Sequence, residues 1–77
     1  MTIKEMHGLI SQNLRLIQYS TGKTNEEMGK IIGTSGTTWW RKKNEPETLT
    51  ISECLLICQV ANVPLDSFLT KNLMIGG

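Results

Sequence analysis

The sequence predicts an all-α fold of five short helices, on three observations. A capping-box signature opens three separate stretches, the apolar residues after each recur at helical spacing, and no run alternates as a half-buried strand would. At 77 residues the chain makes one domain at most, with a core over 3–69 and an apolar tail over 70–77. That is close to the size below which an apolar core alone rarely sustains a fold. Hydrophobic residues make up 39% of the chain, enough for a globular core.

In each capping box Thr stands three residues before Glu: Thr2 and Glu5, Thr24 and Glu27, Thr50 and Glu53. The Thr hydroxyl accepts from the N3 backbone N–H, and the Glu side chain reaches back to the Thr N–H. After the first box, Ile3, Met6, Ile10, Leu14 and Ile17 predict an amphipathic helix of about five turns that Gly22 ends. Gly8 weakens it by about 1 kcal/mol relative to Ala. After the second box, Met28, Ile31 and Ile32 give a short helix, and Gly33 sits where a left-handed residue would close it. Thr34 or Ser35 then caps a third helix from Gly36 to Lys43. After the third box, Cys54, Leu55, Ile57, Cys58 and Ala61 form the most apolar helix, closed by Asn62. Pro64 stands near the first turn of a fifth helix carrying Leu65, Phe68 and Leu69.

Composition narrows the function. Net charge is only +1, yet residues 1–44 carry seven Lys and Arg against three acids, while 45–77 carry four acids against Lys71 alone. Residues 28–44 hold no acid, so one basic face is compatible with a nearly neutral total. No stretch approaches the roughly 20 apolar residues of a membrane span. The first residues lack the basic-then-apolar order of a secretory signal, and the expectation is a cytoplasmic protein. Cys54 and Cys58 share one helix face. A structural zinc site needs four ligands and only His7 offers a third, so two buried thiols and no metal are expected. Gly22-Lys23-Thr24 ends like a phosphate-binding loop, but Ile17 stands where that loop requires glycine. Nothing resembles a catalytic set, and neither an enzyme nor a cofactor is expected.

From Thr24 to Lys43 the reading is helix, tight turn, helix. Here the chain resembles the Xre/Cro family of lambda-repressor-like helix-turn-helix domains, without gaps from about Leu14 to Leu69. Met28 matches the apolar position of the first motif helix, Gly29 its small-residue position, and Gly33 the turn glycine. Ser35 opens the recognition helix, and Trp39 is its buried anchor. Ile51, Cys54, Ile57 and Cys58 fall on core positions, and Asn62-Val63-Pro64-Leu65-Asp66 is similar to the family's C-terminal signature.

The resemblance implies a five-helix DNA-binding domain whose 36–43 helix enters the major groove of duplex DNA. Gly36, Thr37, Trp40 and Arg41 would face the groove beside Ser35. Arg41 would pair with guanine, and Thr37 would touch a base or a thymine methyl. Asn25 replaces the family's phosphate-contacting Gln, helped by the helix start. Lys42, Lys43 and Asn44 are further backbone contacts, although Arg41 to Asn44 also reads as a solvated charge run complementing the helix dipole. An Arg–Glu brace common in the family falls on Gln18 and Lys43, so that brace is expected to be absent. Lys42 takes a place often apolar.

Trp39 and Trp40 point about 100° apart, so one helix cannot bury both. Trp39 is expected in the core. Trp40 stacks on DNA, anchors a protein interface, or folds back over helix 1. Leu73-Met74-Ile75 docks on its own core or on a second subunit; the family's habit implies a homodimer through helix 5 and the tail. Two functions remain open at this point. One is a sequence-specific transcriptional regulator of the phage or prophage Cro/repressor type. The other is a helix-turn-helix protein-interaction module, an antirepressor or modulator that binds another repressor; low net charge, Gly36 and Trp40 favour it.

Overall fold

A computed structural model describes residues 1–73. Five α-helices run in order: α1 Ile3–Thr21, α2 Asn25–Ile31, α3 Gly36–Asn44, α4 Ile51–Ala61 and α5 Leu65–Thr70. A single 3-10 turn, Pro46–Thr48, joins α3 to α4, and the described residues contain no strand. None of these helices is long and apolar enough to cross a membrane.

The local signals set the boundaries. All three capping boxes form, at Thr2, Thr24 and Thr50. Ser35 caps α3, its hydroxyl accepting from the Thr38 N–H at 3.2 Å. Gly33, at φ +77°, adopts the left-handed conformation that releases the chain from α2 into the turn. Asn62 does the same after α4 at φ 58°. Pro64 is the N-cap of α5, directly before its first turn.

The core joins Ile10, Leu14 and Ile17 of α1 to Met28 and Ile32, Trp39, Cys54, Ile57, Cys58 and Phe68. Two expected core residues stay outside it: Ile3 is 72% and Ile51 75% exposed. Each follows its capping Thr directly, at a helix end that the neighbouring helices do not cover. Leu55, placed in the apolar helix, also faces solvent. The two thiols are buried and unbridged. Burial, with the Cys54 thiol adding to it, raises Cys58 to about 11.

α2 packs chiefly against α3, and α1 against α5. The first contact requires Gly29, because a Cβ there would stand 2.6 Å from the Ser35 carbonyl oxygen, which is backbone and cannot move aside. In the second, the buried Asn13 side chain donates to the carbonyls of Phe68 at 2.9 Å and Lys71 at 2.8 Å. Its Oδ1 accepts from the Leu73 N–H at 3.0 Å. Asn13 thus adds to the backbone bond from the Lys71 N–H to the Ser67 carbonyl at the end of α5 and holds the following chain, and Leu73 packs on the core of its own subunit. Met74 and Ile75, the rest of the expected docking tail, lie outside the described residues.

α3 is tied to α4 by Lys42, whose ammonium donates to the Thr48 carbonyl at 2.9 Å and pairs with Glu53 at 3.1 Å. The two side chains are only 15% and 16% exposed. Burial pushes the Glu53 carboxyl up, but hydrogen bonds from the Thr50 N–H and Lys42 outweigh it and hold the group below its ordinary value.

Asn13→Ala removes three hydrogen bonds, one of them buried at the Phe68 carbonyl, so urea unfolding should report a loss of about 2–4 kcal/mol. A loss below about 1 kcal/mol would mean that water substitutes for the side chain. Lys42→Ala strands a mostly buried carboxylate and should cost about 2 kcal/mol at neutral pH, less than breaking a wholly buried pair. Glu53 is depressed in the fold, so its contribution is present above the ordinary carboxylate range and lost as pH falls through its folded value. The difference between wild type and Lys42→Ala should therefore shrink in acid to what the Thr48 carbonyl bond contributes, and a constant difference across that range would refute the assignment.

Candidate nucleic-acid interface

Burial of Trp39 orients α3. Its indole is fully enclosed and its N–H donates to Gln18 Oε1 at 2.9 Å. With that side chain inward, Thr37, Trp40, Arg41 and Asn44 are exposed along the opposite face, and Ser35 is exposed at its start. Among the described residues the Arg41 guanidinium has no hydrogen bond or ion pair, which leaves its donors to a partner. Trp40 is 55% exposed and does not fold back over α1. It lines a shallow recess of about 300 Å³ with Asn25, Glu26, Gly36 and Thr37.

The expected absence of a brace between α1 and α3 is corrected here. Gln18 Oε1 accepts from Lys43 Nζ at 3.1 Å as well as from Trp39. Gln18 Nε2 donates to Asn25 Oδ1 at 2.9 Å, and Lys43 Nζ donates to the same oxygen at 3.3 Å. An ammonium can only donate, which fixes Asn25 with its oxygen inward and its NH₂ as the outward group. Carboxamides thus do what a carboxylate–guanidinium pair would do, without cancelling a charge. Burial, and behind it the Arg15 guanidinium, holds Lys43 below the ordinary lysine range.

Around this network lies an open groove of about 460 Å³ lined by Arg15, Gln18, Tyr19, Gly22, Lys23 and Lys43. It holds three cationic side chains and no carboxylate, an arrangement suited to a phosphate. Arg15 donates to Asn44 Oδ1 at 2.5 Å, and Asn44 Nδ2 donates to the Trp40 carbonyl, so the groove continues into the exposed face of α3.

The nine residues singled out from the sequence therefore divide. Thr37, Trp40 and Arg41 share the outer face, and Asn25 stands beside it. Ser35 is exposed but occupied as a cap, its hydroxyl also donating to Thr38 Oγ1 at 3.1 Å. Lys43 lines the cationic groove. Asn44 is exposed, but both its polar atoms already have partners within the chain. Lys42 points to α4 and presents its charge to Glu53 instead of outward. Gly36 is buried, and a Cβ on it would overlap the Glu26 carboxylate. Arg15, Lys23 and Glu26 are not among the residues the sequence singles out, and Gln18 appears there only as a brace position. The charge of Arg15 and Lys23 was visible in the sequence, but their proximity to Lys43 was not.

No family model, no curated protein and no solved structure matches this chain.

Proposed function

We propose that the chain is a helix-turn-helix regulator of the Xre/Cro type that binds duplex DNA with α3 in the major groove. The observation that carries this reading is the outer face of α3, where an unpartnered Arg41 stands with Thr37 beside a cation-lined groove. A guanidinium with free donors matches guanine O6 and N7, and the groove matches a phosphodiester backbone. In this reading Arg41 and Thr37 read bases. Asn25, Lys43, Arg15 and Lys23 hold phosphates, and Lys42 serves the fold.

The second reading, a module that binds another regulatory protein through the same face, is favoured by one observation. Trp40 exposes more than half its surface in a recess that also holds the Glu26 carboxylate. Large aromatic rings at such a place anchor protein interfaces.

Fluorescence anisotropy with labelled duplexes at about 50 and 200 mM salt tests the first reading. Affinity should fall by orders of magnitude over that range, as expected for several phosphate contacts. Lys23→Ala should weaken all duplexes alike and flatten the salt dependence, while Lys42→Ala leaves that dependence unchanged. Arg41→Ala should cost about 1–3 kcal/mol and relax preference at one base pair. Failure to bind any duplex at low salt, with Trp40→Ala abolishing capture of a partner protein, would replace it with the second.

A further inference from the structure

The first turn of α3 offers Gly36 where a reading side chain would stand, and the space is not empty. The Glu26 carboxylate, carried by α2, fills it: a Cβ on Gly36 would overlap the carboxylate oxygen and stand 3.0 Å from the Glu26 backbone nitrogen. The absent side chain of one helix is therefore replaced by an acidic one from its neighbour. Glu26 is exposed, and among the described residues it makes no hydrogen bond or ion pair. It is thus neither a cap, like Glu5, Glu27 and Glu53, nor half of an intramolecular ion pair, like Glu53 with Lys42. It shares its recess with Thr37 and Trp40 of α3, and the positive end of α3 lies against it.

Resting on the DNA-binding reading, we infer that Glu26 is a specificity residue that accepts a hydrogen bond from a cytosine amino group in the major groove. A carboxylate at this place is repelled by phosphates, so its position is unfavourable to backbone contact. A carboxylate accepts and cannot donate. In the major groove guanine presents N7 and O6 and thymine presents O4, all acceptors, while adenine places its N7 acceptor beside its amino donor. Cytosine N4–H₂ is the one edge that gives a donor without an adjoining acceptor. Arg41, one turn further along α3, selects guanine by the opposite chemistry. The two side chains make the site's recognition polarised, with an acceptor from α2 and a donor from α3.

The test is enrichment of bound sequences from a randomised duplex pool by wild type, Glu26→Gln and Glu26→Ala, with thermal melts confirming that each variant folds. Wild type should select cytosine at one position by roughly tenfold or more. Glu26→Gln, which offers both an acceptor and a donor, should move that position to adenine and leave the others unchanged, including the guanine lost in Arg41→Ala. Glu26→Ala should lose the cytosine preference without gaining another. Base preferences identical to wild type, with affinity raised uniformly for every duplex, would overturn the inference, since a merely repulsive carboxylate acts in that way. That outcome leaves the DNA-binding reading standing, whereas no binding of any duplex by wild type would overturn both.

Discussion

An indole that must be buried and must also keep its N–H paired constrains this molecule more than any other group. Trp39 is the largest side chain wholly inside the core. Leaving its N–H unpaired there would cost more than most single hydrogen bonds contribute. Gln18 meets the requirement, and its other atoms bind Lys43 and Asn25. One carboxamide on α1 therefore fixes the rotation of α3 and the orientation of a side chain at the start of α2. Once Trp39 faces inward, helix geometry sends Trp40 and Arg41 outward. The exposed face is thus a consequence of core packing and needs no separate device to hold it.

The same network shapes the electrostatics. Bracing by neutral amides leaves Lys43 with its full charge beside Arg15 and Lys23, and its affinity for a proton is depressed first by burial and then by the Arg15 guanidinium. Lys42, the adjacent residue, has its charge cancelled by Glu53 on the other side of α3. Two neighbouring lysines in one helix thus have opposite fates, decided by which side of α3 each faces. This division lets a chain of net charge +1 concentrate positive potential in one groove.

Helix boundaries were legible in the sequence because capping is local. A Thr and the Glu three residues on carry all the information their hydrogen bonds need, and Gly33 and Asn62 declare their backbone conformation by type. The apolar period also located most of the core, and it misplaced Ile3 and Leu55, while the family resemblance misplaced Ile51; neither records where a neighbouring helix ends. Side-chain partnerships were illegible for a different reason. Asn13 meets Phe68, Gln18 meets Trp39, and Lys42 meets Glu53 across loops whose path no local pattern specifies. The supposed loss of a brace at Gln18 and Lys43 followed from expecting one chemistry at those positions. The geometry supports another.

The two glycines between α2 and α3 make the final distinction. At Gly29 an added carbon would meet the Ser35 carbonyl, part of the backbone that defines the turn, so the requirement is structural. At Gly36 the closest obstacle is the end of a flexible Glu26 side chain, which can swing aside, and the Glu26 backbone nitrogen 3.0 Å away would have to give only slightly. Close packing alone therefore accounts for Gly29 but only weakly for Gly36. What Gly36 does provide is a place for a carboxylate on the outer surface, level with Thr37 and one turn from Arg41. The chemistry of that surface is then assembled from three helices, with Arg15 from α1, Asn25 and Glu26 from α2, and Thr37 and Arg41 from α3. The character of that surface depends on the fold that brings them together more than on the composition of α3.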